Sequence, residues 1–317
     1  MTVQQPINDT PHETMGLVTS RDGTPIGYRQ IGRGPGVVLL HGALQCAENL
    51  MDLARALADR FTVYVPDRRG RGRSGPHGPA YGIARECEDV EALLAATGAA
   101  NVFGLSSGAL VALQATQRLP AIRRVALYEP PLSIGGSVPQ SWVARYEREV
   151  AAGRLGSAFI TIMKGLQVSP MFAALPRVLL TPLMGPLLAA DARNLKPGAT
   201  SIKALIPTMH FDIGLAAELE GTLDRFSDVR SEALLLAGSK SPAYLLRTID
   251  ALEATIPRSR RIDFPDLDHL GADNTGRPKI VATELAAFFC ADTPKTFTQP
   301  AASWPPDLSR QDDELTR

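Results

Sequence analysis

The sequence predicts an α/β protein, a mostly parallel, doubly wound sheet carrying a helical insertion. Three observations lead there. Short strand-like runs recur at 36–41, 61–65, 100–105 and 124–128, and again at 233–237 and 260–264. Most are continuously apolar, the pattern of strands buried on both faces of a parallel sheet. Segments with apolar residues at helical spacing lie between them, as at Leu50, Leu53, Ala54 and Leu57. The alternation stops between about 131 and 226, where helical patterns continue without a convincing strand, and then resumes.

The elements follow in order. Runs 16–20 and 24–32 flank Arg21-Asp22-Gly23 and read as a hairpin. Strand 36–41 stops at a glycine. Helix 48–59, strand 61–65, helix 87–96, strand 100–105, helix 108–119 and strand 124–128 continue the rhythm. The strand-poor stretch holds four of the seven methionines, Met163, Met171, Met184 and Met209. Strand 233–237, helix 242–256, strand 260–264 and helix 278–289 close the pattern. Residues 1–130 and 226–290 are thus expected to form one discontinuous core, and 131–225 a helical unit inserted into it. Residues 291–317, rich in Pro, Ser, Thr and charge, are expected to be a disordered tail.

The 317 residues are 44% hydrophobic and 21% charged, with 33 basic against 33 acidic side chains. That composition suits a soluble globular chain and argues against a basic nucleic-acid face. No basic start followed by an apolar stretch marks a signal peptide. The most apolar run, 171–190, is broken by Pro176, Pro182 and Pro186, so no membrane partner is expected. Cys46, Cys87 and Cys290 are few, odd in number and without metal-ligand spacing. They read as free thiols in a reducing compartment, and a cytoplasmic location is expected.

The strongest chemical signal is Gly104-Leu105-Ser106-Ser107-Gly108. An apolar strand runs into it and an apolar helix runs out. A serine on such a turn presents its hydroxyl outward, and small residues two before and two after let strand and helix approach. Free N–H groups at the helix start lie beside the reacting carbon. Ser106 is the candidate nucleophile, and Ser107 contributes its backbone N–H. His41-Gly42-Ala43 ends an earlier strand. The glycine allows a tight turn that aims an N–H at an oxyanion, from Ala43 or, failing that, Leu44. His41, Gly42 and Leu44 are expected to line the substrate. Asp67-Arg68-Arg69-Gly70-Arg71-Gly72-Arg73-Ser74-Gly75 carries four arginines in six residues. Zero net charge and the strand just before it favour a structured loop over a nucleic-acid site. Of five histidines, only His269, after the last predicted strand, sits where a Ser…acid…His order needs it.

Taken together, these residues resemble the α/β-hydrolase superfamily over about 16–289. H-G-A follows the third strand, D-R-R-G-R-G-R-S-G the fourth and G-L-S-S-G the fifth; a late D-L-D-H-L-G and the insertion after the sixth strand complete the match. The resemblance implies Ser106 as nucleophile, His269 as general base, Ala43 and Ser107 as oxyanion-hole donors, and 131–225 as a cap over the pocket. In many members the triad acid follows the seventh strand, in a stretch reading approximately G-x-x-D-P. Here that stretch is Gly238-Ser239-Lys240-Ser241-Pro242, with Ser241 at the acid position. Some members place the acid after the sixth strand, where this chain has Glu129, so Glu129 is the candidate acid. Asp212 is the first alternative. Asp266 and Asp268, too near His269 in sequence to face it, read as loop-capping groups, and a dyad without an acid is a further option.

A serine nucleophile implies acyl transfer, not the epoxide or halide chemistry that uses an aspartate at this position. The expected reaction is hydrolysis of an ester or lactone in a medium-sized, mainly apolar small molecule, with no metal or organic cofactor. The apolar, methionine-bearing insertion supports such a substrate. Carbon–carbon hydrolysis, acyltransfer and a binding-only role on the same scaffold are the alternatives.

Overall fold

Eight strands form a single sheet: β1 (Thr14–Thr19), β2 (Pro25–Ile31), β3 (Gly36–Leu40), β4 (Thr62–Pro66), β5 (Asn101–Leu105), β6 (Arg124–Tyr128), β7 (Glu232–Gly238) and β8 (Ser259–Phe264). The computed structural model describes residues 12–168, 172 and 174–290; the 291–317 tail lies outside them. The strand order is β1-β2-β4-β3-β5-β6-β7-β8. From β4 across to β8 every pair is parallel, while β1 and β2 add antiparallel at one edge. The turn joining β1 to β2 closes through the Ser20 N–H on the Thr24 carbonyl at 2.8 Å. Gly23 supplies the positive φ of 85° that this turn needs.

The strand pleat divides the core. Val38 and Leu40 point into one apolar layer with Val102, Leu110, Leu235 and Ile249. Val37 and Leu39 point into the other with Leu53, Phe103, Leu236 and Leu285. The first layer lies under α2 (Ile83–Thr97), α3 (Ser107–Arg118) and α9 (Ala243–Thr255), the second under α1 (Met51–Leu57) and α10 (Pro278–Cys290). Burial on both faces is why these strands read as unbroken apolar runs. Helix α2 starts earlier than the sequence pattern indicates because the Ile83 N–H is capped by Glu218, at 3.0 Å, from a remote helix.

That remote helix belongs to the segment between β6 and β7, which contains α4 (Val143–Ala151), α5 (Leu155–Leu166), α6 (Arg177–Arg193), α7 (Ile202–Leu205) and α8 (Met209–Glu218). It has its own apolar cluster, including Trp142, Tyr146, Ile160, Met184 and Ile206. Ala43 and Leu44, in the loop after β3, pack against that cluster. The inserted helices therefore lie against the loops at the carboxyl ends of the strands.

Candidate active site

Strand β5 ends at Leu105 and helix α3 begins at Ser107, leaving Ser106 as the turn itself at φ 55°, ψ −123°. A non-glycine residue there is strained, and that backbone holds the side chain out of the helix. The flanking glycines are required by space. A Cβ on Gly104 would lie 2.4 Å from the Gly108 carbonyl oxygen, and one on Gly108 would lie 2.4 Å from the Leu40 oxygen. Ser106 is partly exposed among buried neighbours.

The loop after β3 approaches this turn closely, since a Cβ on Gly42 would be 3.1 Å from the Ser106 Cβ. Gly42 donates its N–H to Gln45 Oε1 at 2.8 Å, and Gln45 Nε2 donates to Asp273 Oδ2 at 2.8 Å. The Gly42 N–H is therefore committed within the loop. Leu44 has a positive φ of 56°, so the chain turns sharply just past Ala43. The ring of His41 is fully buried. Its Nδ1 lies 2.9 Å from the Gly42 carbonyl and its Nε2 accepts the Arg68 N–H at 3.1 Å. Burial, then the charges of Arg71 and Arg68, hold its pKa well below the usual histidine value. Both ring nitrogens of His41, expected to line the substrate, are engaged within the protein, and the ring braces the loop.

Across the sheet the Ser106 N–H donates to the Tyr128 carbonyl at 2.9 Å, which sets the turn beside the end of β6. The next residue, Glu129, is fully buried with φ 49°. Its Oε1 accepts the Gly238 N–H at 2.7 Å and its Oε2 lies 2.6 Å from His269 Nδ1. Three bonds hold the histidine loop: Lys240 N–H to the Leu267 carbonyl at 2.9 Å, Ser239 N–H to Phe264 at 3.0 Å, and Tyr128 hydroxyl to Asp268 at 2.7 Å. Gly238 has no room for a side chain, because its Cβ would meet the Leu267 oxygen at 2.4 Å.

The other candidate acids are engaged elsewhere. Asp268 Oδ1 caps the Leu270 N–H at 2.9 Å, and Asp266 forms an exposed pair with Lys240 at 2.8 Å. Ser241 is buried with its hydroxyl unpartnered. Asp212, on α8, is buried between Arg68, at 3.0 Å, and Arg71. Burial works against its charge, but the two arginines prevail and hold its carboxyl below the usual range.

The arginine loop is structured as expected. Arg68, Arg69 and Arg71 are buried, and Arg68 forms a two-point pair with Glu86 at 2.9 and 3.1 Å. Arg68 Nη1 also donates to Ser107 Oγ at 3.0 Å. Glu86, Gln45 and Asp273 do not stand out in the sequence, because each belongs to a polar contact that only the fold assembles. Among the described residues, no group of three or more His, Cys, Asp or Glu is placed to hold a metal ion.

Comparison with known proteins gives a consistent picture. A family model described as "Alpha/beta hydrolase family" matches residues 37–285. A solved α/β hydrolase from Sphaerobacter thermophilus is 34% identical, covering 86% of this chain and all of that one, with a TM-score of 0.70. The enol-lactonase of Burkholderia xenovorans shares the fold at 21% identity and a TM-score of 0.65, covering 87% of this chain and 100% of that one. Two curated relatives match over shorter stretches. The uncharacterized hydrolase YraK of Bacillus subtilis is 34% identical over 35% of this chain and 42% of its own length. The pimeloyl-[acyl-carrier protein] methyl ester esterase of Stenotrophomonas maltophilia is 36% identical over 30% of this chain and 36% of its own. The chain thus spans about two fifths of the curated relatives it matches.

Proposed function

The chain belongs to the alpha/beta hydrolase family, and from that premise we propose that it is a serine hydrolase acting on an ester or lactone of a medium-sized, mainly apolar small molecule. The observation that carries the reading is the buried Glu129–His269 pair, 2.6 Å apart, at the strand end adjacent to the Ser106 turn. A carboxylate on Nδ1 fixes the tautomer that leaves Nε2 free as a base, and it stabilises the imidazolium once a proton arrives.

The scheme then runs on side chains and water. His269 Nε2 takes the Ser106 proton as Oγ bonds to the substrate carbonyl carbon. The oxyanion is met by the Ala43 and Ser107 amides. Collapse breaks the bond to the alkoxy oxygen, which leaves with the proton from His269; in a lactone it stays tethered to the acyl group. Water, deprotonated by His269, attacks the acyl-enzyme, and the acid departs as Ser106 recovers its proton. The committed Gly42 N–H supports Ala43 as the loop donor. The inserted helices act as a cap, and the apolar cluster against Ala43 and Leu44 favours an apolar acyl or lactone group. Names among the relatives and structural neighbours, a methyl ester esterase and an enol-lactonase, agree with ester-type chemistry.

A panel of p-nitrophenyl esters and lactones of increasing chain length, assayed on wild type and Ser106→Ala, tests this. Turnover by wild type with background rates in the variant is the expected result. Equal turnover by both proteins overturns it.

A further inference from the structure

Helix α6, Arg177–Arg193, touches the rest of the protein along one narrow line. Of its apolar residues only Leu180, Met184 and Leu188, at i, i+4 and i+8, are buried. Val178, Leu179, Leu183 and Leu187 face outward and are 45–76% exposed. The thirteen residues 178–190 contain no charge at all. A helix on a water-facing surface carries charge opposite its buried stripe, whereas this one is apolar around most of its circumference.

The charge at its end is one-sided. From 191 to 203 there are three basic residues, Arg193, Lys196 and Lys203, and one acidic residue, Asp191, in a chain that is neutral overall. Asp191 turns inward to accept the Ile202 N–H at 2.7 Å, which draws α7 to the end of α6. Exposed Arg193, Lys196 and Lys203 lie at the end of α6 and on the segment and helix that this contact holds there. Lys196 also pairs with Glu48 at 3.2 Å, yet its side chain remains 62% exposed.

We propose that α6 docks this protein onto an anionic lipid surface, lying in the interface with Leu179, Leu183 and Leu187 among the acyl chains and the basic cluster on the headgroups. An apolar helix face with basic residues beside it is the pattern of a helix that lies on a membrane. It does not cross one, since no helix among the described residues is long and apolar enough. A second copy of the chain is a poorer occupant, because the face at 178–190 carries no acidic group to meet the basic cluster across a two-fold contact. The sequence expectation of no membrane partner rested on the lack of a spanning run, which leaves surface docking untouched.

Co-sedimentation of the full chain with phosphatidylcholine vesicles, with and without phosphatidylglycerol, tests the proposal. Ser106→Ala is run in parallel, so that docking is read apart from turnover. Partition onto the anionic vesicles is expected, weakened by raised salt. Leu179→Ser/Leu183→Ser/Leu187→Ser together should reduce it at least about tenfold, and Arg193→Glu/Lys203→Glu should reduce it by a comparable factor. Hydrolysis of a soluble ester and the circular dichroism spectrum should remain those of wild type. The charge variant keeps the test decisive if the leucine variant folds poorly. No partition onto either vesicle, partition indifferent to both variants, or a solution dimer abolished by the leucine changes without vesicle binding would each overturn the proposal.

Discussion

At the residue scale, the proposed chemistry depends on where Ser106, Glu129 and His269 lie. Glu129→Gln should leave the fold intact and lower kcat by about a thousandfold or more, because an amide cannot hold the same tautomer or stabilise the imidazolium. Ser241→Ala should leave kcat near the wild-type value, and steady-state kinetics on the two variants separates the two acid positions. Equal losses in both would move the acid away from Glu129. Gly108→Ala tests the turn itself. Its Cβ would sit 2.4 and 2.5 Å from the Leu40 and His41 oxygens, so α3 must part from the end of β3. A loss of about 2 kcal/mol or more in urea unfolding is expected. Ser106 and both glycines were legible in the sequence because they sit together between an apolar strand and an apolar helix, although the atoms that exclude a side chain at Gly108 come from the end of β3. The role of the His41 ring was not, since its second partner is a backbone N–H that only the fold brings to it.

At the element scale, α8 is fastened to the loop after β4 through Asp212. Loss of its charge is costly because it would leave the buried guanidiniums of Arg68 and Arg71 without this counterion. Asp212→Asn should destabilise the protein by about 3–5 kcal/mol, as when one partner of a buried pair is removed. Its activity, where it folds, should stay far above that of Glu129→Gln. Urea titrations read beside kcat distinguish the two carboxylates, and an unchanged unfolding midpoint for Asp212→Asn would contradict the assignment. Strands β3 to β7 were legible because burial on two faces imprints itself on four or five consecutive residues, whereas the largely exposed β1 was read with β2 from the turn at Arg21-Asp22-Gly23. The first turn of α2 was missed because its cap, Glu218, comes from another element. The ion cluster was half legible: the arginines announced a structured loop, but Glu86 and Asp212 lie far from it in sequence.

At the scale of the whole molecule, burying so many charges and rings beneath the inserted helices gives stability a pH dependence. His77 stacks on Phe211 with ring centroids 3.5 Å apart. Burial first, then the charge of Arg71, depresses its pKa to about 4 from an ordinary 6.5. The unfolded chain therefore binds a proton that the native state refuses between those values. The stabilisation is present above pH 6.5 and is lost as pH falls through 4. The expected loss on going from pH 7 to pH 4.5 is about 2 kcal/mol, measured by urea unfolding, and His77→Phe should flatten it. Asp89, raised to about 6 by burial, contributes in the opposite sense and is common to both proteins, so the difference between them isolates His77. A variant slope as steep as that of wild type would place the titration elsewhere.

In the proposed mechanism Glu129, acting through His269, activates Ser106. The most direct test is labelling with a fluorophosphonate, followed by intact mass and peptide mapping, on wild type and Glu129→Gln. One adduct per chain on Ser106, formed at a rate much reduced in the variant, is the expected result. No adduct on wild type, or labelling equally fast in both proteins, would contradict it.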